Sequence, residues 1–62
     1  MVTKKVADKT DGIYRTIIRF DAESDEYVVQ LFVNGVHQFD ADYFTDDKED
    51  ATNTAKSMRK VS

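Results

Sequence analysis

The run Tyr27-Val28-Val29-Gln30-Leu31-Phe32-Val33, followed at once by Asn34-Gly35, constrains this chain more than any other feature. β-Branched and aromatic side chains dominate it, as they do in strands. Both of its faces are apolar: Tyr27, Val29, Leu31 and Val33 on one, Val28 and Phe32 around Gln30 on the other. A central strand, with neighbours on both sides, reads this way. Asn-Gly then turns the chain back on itself as a hairpin. The fold must therefore contain an antiparallel sheet with residues 27–33 inside it.

The preceding partner is residues 13–20. Tyr14, Thr16, Ile18 and Phe20 alternate with Ile13, Arg15, Ile17 and Arg19. Arginine occurs only in the odd set, so the even set points to the core. Asp21-Ala22-Glu23-Ser24-Asp25-Glu26 between the two strands is a turn by composition. The third strand is predicted at 37–44. A two-residue Asn34-Gly35 loop would put Asp40 and Asp42 on the face of Tyr27 and Val29. A three-residue loop, Val33-Asn34-Gly35, brings Phe39, Ala41 and Tyr43 there and sends the aspartates outward. One residue of slip exchanges the two faces, so the hydrophobic pattern selects the longer loop.

Residues 46–61 read as a helix. Asp46 is the expected N-cap, with Glu49 as its capping-box partner. Acids in the first turns and Lys56, Arg59 and Lys60 in the last match the helix dipole. Ala51, Ala55 and Met58, extended by Thr54 and Val61, form the stripe that meets the sheet. Residues 1–11 have no clear period and are expected to be a loose arm. The predicted architecture is a single α+β domain over residues 1–62, a three-stranded antiparallel meander in the order 1-2-3 with one C-terminal helix packed on one face (βββα). Its core face is Tyr14, Ile18, Phe20, Tyr27, Val29, Leu31, Phe39, Ala41 and Tyr43.

A chain of 62 residues buries only roughly 60% of its unfolded surface and usually needs a disulfide, a metal or a partner. It has no cysteine and one histidine, His37, so a partner chain is the helper that remains. Residues 1–20 carry five bases and two acids, residues 21–50 one base and ten acids, and residues 51–62 three bases. The acidic middle disfavours backbone binding of nucleic acid and suits a basic protein partner. Local roles of acids in turns and at the helix start account for much of it. No apolar run approaches the roughly 20 residues of a membrane span, and the basic N-terminus lacks the apolar stretch of a signal peptide. A cytoplasmic location is expected.

Catalytic and metal chemistry has little to stand on. Asp21, Glu23 and Asp25 imitate the start of a calcium loop, but Glu26 and Phe32 stand where that loop needs glycine and a bidentate glutamate. Asp40 and Asp42, with Asp46 and Asp47, lack the rest of a cation site. His37 beside the hairpin turn has no evident nucleophile, and reads as a half-exposed turn residue. The serines sit in no elbow motif, and Gly12 and Gly35 cannot build a phosphate loop. The expectation is a non-enzymatic protein without cofactor or metal.

One helix covers one face of a sheet. The other face is expected to show Ile13, Arg15, Ile17, Arg19, Val28, Gln30 and Phe32, with Gln38, Asp40 and Asp42. An apolar centre of Ile17, Val28 and Phe32 inside a polar rim is the composition of an interface. The bland alternative is that residues 1–11 fold back over it, or that scattered exposed apolar groups mean nothing. The expected function is therefore a protein-interaction module, binding a partner or a second copy through this face. The alternative is a nucleic-acid-binding module using Arg15, Arg19, Lys4, Lys5 and Lys9.

The strand–strand–strand–helix order, the Tyr27 strand, the Asn34-Gly35 turn and the segment Phe44-Thr45-Asp46-Asp47-Lys48-Glu49-Asp50-Ala51 resemble the AP2-like amino-terminal DNA-binding domains of phage-type integrases over residues 13–58. The same order resembles the last half of double-stranded-RNA-binding domains. The first resemblance implies DNA reading by the exposed sheet. Arg15 and Arg19 fit that role and Asp40 and Asp42 oppose it. The second implies a lysine pair at the helix start, where this chain has Asp46 and Asp47. In size and style the chain also looks like small accessory proteins of bacterial viruses.

Overall fold

The computed structural model describes residues 3–59. Its elements are β1 (Thr3–Asp11), β2 (Tyr14–Asp21), β3 (Glu26–Val33), β4 (Val36–His37), a 3-10 turn (Phe39–Ala41), β5 (Tyr43–Thr45) and α1 (Lys48–Arg59). The class is α+β, an antiparallel meander β1-β2-β3 with one C-terminal helix packed against β2 and β3.

The segment expected to be a loose arm is strand β1. It pairs antiparallel with β2 from Thr3↔Asp21 to Asp11↔Tyr14, with a bulge between Lys5 and Ala7. Gly12 and Ile13 close this hairpin. Gly12 has φ +64° and Ile13 does not share the positive sign, as a II′-type turn demands. β2 is thus flanked on both sides, and Thr16, Ile17 and Ile18 are buried in succession. The β2–β3 turn is tied by Asp21, whose Oδ1 accepts the Glu23 amide at 3.0 Å. Asp25 supplies the left-handed residue there, at φ 57°.

The hairpin after β3 has a two-residue loop, not the expected three. Val33 pairs with Val36 and Phe32 with His37. Asn34 and Gly35 both have positive φ, 53° and 84°, which is the I′ geometry that Asn-Gly favours and that suits the strand twist. The third strand is also not continuous over 37–44. After β4 the chain winds through the Phe39–Ala41 turn, and the ladder resumes with Val29↔Tyr43, Val28↔Phe44 and Tyr27↔Thr45. Between the two ladders the register moves by three residues. The odd shift restores the face parity that the hydrophobic pattern requires. Tyr43 therefore lies on the helix side beside Val29, where its Oη donates to Asp50 Oδ2 at 2.7 Å. This bond, with the Asp50 charge behind it, pushes the Tyr43 phenol up from its ordinary value. Phe39 does not join the core. It is carried outward by the turn.

α1 begins two residues later than expected, and its cap is Asp47 rather than Asp46. Asp47 Oδ1 accepts the amides of Glu49 at 2.9 Å and Asp50 at 3.4 Å. Asp47→Ala is expected to cost about 1 kcal/mol. A thermal melt would then fall by about 4–8 °C, while Asp46→Ala stays within about 0.5 kcal/mol of the parent. The reverse ranking would return the cap to Asp46. Residues 60 and 61 of the expected helix, including Val61, lie outside the described residues. The core is small: Ile18, Val29, Ala51 and Ala55, with Ala7, Tyr27 and Met58 packed against it. The alanines let α1 lie close on the sheet, and the helix depends on that contact because its remaining faces are polar.

Candidate functional site

Six of the seven residues expected on the outer face are brought together there. Arg15, Ile17 and Arg19 of β2 stand directly opposite Phe32, Gln30 and Val28 of β3. Ile13 is the exception, since it sits in the β1–β2 turn at the end of the sheet. Its carbonyl accepts the Asn34 amide at 2.7 Å, which joins the two hairpin tips.

The apolar centre differs from the expectation. Ile17 is only 5% exposed rather than open to water. Its cross-strand neighbours are Asp8 and Gln30, and Arg15 and Arg19 flank it along β2. Arg19 Nε donates to Gln30 Oε1 at 3.1 Å. Arg15 binds Asp8 with two bonds, Nε to Oδ1 at 2.9 Å and Nη2 to Oδ2 at 2.6 Å. Long side chains paired in this way can cover an apolar neighbour with their stems while their heads stay wet. The Arg15 guanidinium holds the Asp8 carboxyl well below the usual carboxylate range, against an opposing effect of desolvation and with some help from Lys5. The same pairing raises Arg15. Val28 and Phe32 are half-buried.

The open apolar surface lies one strand further over. The Arg15 guanidinium sits 5.8 Å from the Phe32 ring centroid. Phe32 stacks on His37 at 4.9 Å, and His37 contacts Phe39 at 4.1 Å. His37 Nε2 and Asp42 Oδ1 are 2.9 Å apart, so this histidine does have a partner. Phe44, opposite Val28 and so on the same face, is 59% exposed, and Phe39 is 78% exposed. Arg15, Phe32, His37 and Phe39 thus form a row that ends in an uncovered ring, and Phe44 is a second exposed ring further along the same face.

Phe39, Phe44 and His37 were not among the expected site residues. Strand alternation places Phe39 in the core, because the 3-10 turn at 39–41 leaves no periodic signature. Phe44 follows from the alternation with Tyr43 once Tyr43 is placed inside. Nothing in the sequence marks Asp8 for this face, because residues 1–11 show no clear period. Asp40, expected on a strand of this face, lies in the 3-10 turn and is exposed. The charges divide across the face. Lys5, Asp8, Arg15 and Arg19 on β1 and β2 are net basic, while Asp40 and Asp42 make the far side acidic. No helix among the described residues is long and apolar enough to cross a membrane.

No family model, curated protein or solved structure matches the chain.

Proposed function

We propose that this chain is a non-enzymatic protein-interaction module that works through the outer sheet face, and that the partner is a second copy. The observation that carries this reading is the presence of two uncovered rings on this face, Phe39 against the Phe32–His37 stack and Phe44 opposite Val28. Exposed aromatic rings inside a polar rim are what interface centres are built from. The division of charge supports a second copy as the occupant. A two-fold axis lying between the basic and acidic halves sets each half against its counterpart's opposite half. The basic β1–β2 side of each copy would then face the acidic side of the other, around Asp40 and its neighbouring ring Phe39. In size such a subunit fits the small accessory proteins of bacterial viruses.

The test is solution mass across a concentration series, with Phe39→Asp and Phe44→Asp as comparisons. The expected result is a concentration-dependent dimer that each substitution disrupts while the circular dichroism spectrum is kept. A buried ring is worth about 2 kcal/mol at an interface centre. Each dimer holds two copies, so the dissociation constant should rise by about 10³. A parent that stays monomeric at millimolar concentration would overturn the second-copy reading.

The nucleic-acid alternative has less to rest on. Asp8 occupies the Arg15 guanidinium with two bonds. Lys9 stands opposite Thr16, on the helix side and away from Arg15 and Arg19. Binding through phosphate contacts would weaken steeply with salt.

A further inference from the structure

A concave feature lies on the helix side of the sheet, above β2 and between β1 and α1. A cleft of about 210 Å³ opens there. Its apolar floor is Ala7, Ile18 and Ala55, and its rim carries Lys9 of β1 with Lys56 and Arg59 of α1. Thr16 and Thr52 add hydroxyls, and none of the described lining residues is a carboxylate. Among the described residues none of these three cations has an ion-pair partner. Such a gathering is unexpected in a chain whose net charge is −3.

The cations are not all free to swing away. Arg59 Nη1 donates to Thr16 Oγ1 at 2.6 Å, and Thr16 is 2% exposed. One of five guanidinium N–H donors is thereby spent on fixing the group against the wall, and four remain for a ligand. Thr52 donates its hydroxyl to the Lys48 carbonyl, which leaves its oxygen as an acceptor. The C-terminal end of α1 contributes roughly half a negative charge at this position, well short of three full positive ones. A concave site concentrates such a field.

We propose that this cleft binds a small phosphate monoester. The anchored Arg59 fork and the two lysines would meet the three terminal oxygens from different sides. The organic part of the ester would lie on Ala7, Ile18 and Ala55. The cleft is smaller than the roughly 300 Å³ at which drug-sized sites begin, so the ligand is small. This site is on the opposite side of the sheet from the aromatic face and does not rest on the self-association reading.

The experiment is an amide NMR titration of the full chain at constant ionic strength. The probes are phenyl phosphate, inorganic phosphate, phenol and glutarate. Phenyl phosphate should give saturable shifts centred on Thr16, Ala55 and Arg59. Inorganic phosphate, lacking the apolar part, and phenol, lacking the charge, should each bind about tenfold more weakly or not at all. Lys9→Gln and Lys56→Gln should each weaken phenyl phosphate by about tenfold and leave the dispersed spectrum intact. Arg59→Lys keeps the charge, loses the fork, and should also weaken it. Shifts that never saturate, that spread over Lys4 and Lys48, or that survive the substitutions would overturn the proposal. Glutarate binding as tightly as phenyl phosphate would overturn the assignment to phosphate.

Discussion

Deleting residues 1–11 is expected to unfold the domain. β2 would lose eight paired positions and become an edge. Thr16, Ile17 and Ile18, all buried, would open along one side. Ala7 would leave the core, and Arg15 would lose its carboxylate partner Asp8. A domain of this size has only about 3–5 kcal/mol of stability to lose. The truncated chain should therefore show collapsed amide dispersion and no cooperative melt. If it kept a dispersed spectrum and a sharp transition, β1 would be an ornament on a fold complete without it, which is how a loose arm behaves.

Ile18→Ala is expected to have the largest effect of any single substitution in the core. Ile18 is 4% exposed and packs with Val29, Ala51 and Ala55 beneath the helix. Truncating a buried isoleucine to alanine costs about 2–5 kcal/mol. That is most or all of the available stability, so much of the protein should be unfolded at 25 °C. With a urea slope of about 1 kcal/mol/M, the midpoint should fall by about 2 M or more. Ile13→Ala is the control. Ile13 is 55% exposed at a hairpin tip, and its truncation should stay within about 0.5 kcal/mol. Equal effects of the two substitutions would mean that the helix is not seated on β2.

The parts of the fold that were legible in the sequence were those where one face is apolar and the other is not. Arg15 and Arg19 marked the outer side of β2, and the two-faced run 27–33 marked a strand with neighbours on both sides. β1 was illegible because it lies at the edge. Its side chains are largely exposed, so no alternation is imposed on Lys4, Lys5, Asp8 and Lys9, and the bulge at Val6 breaks the period that remains. The third strand posed a conflict between two rules. Turn chemistry asked for a two-residue loop at Asn34-Gly35, and the hydrophobic pattern asked for the opposite parity. The chain satisfies both, the first at the turn and the second by the three residues 39–41. The candidate face was legible as far as β2 and β3 reach. The pairing of Asp8 with Arg15 and the outward swing of Phe39 depend on β1 and on that insertion, and so were not.

The insertion at Phe39–Ala41 also determines how this sheet can grow. A sheet polymerises by adding a strand at each of two templates, one on either margin. Here one margin is the nine-residue β1, already blunted by lysines and a bulge. The other is divided into segments of two and three residues, with a turn projecting between them. A margin interrupted in this way offers no continuous ladder to a newcomer. Strand exchange through β1 would therefore stop after one addition, and the product would be a closed pair rather than a fibre. Filling in the interruption, so that residues 36–45 ran as one strand, would remove that terminator and open the far margin to indefinite extension.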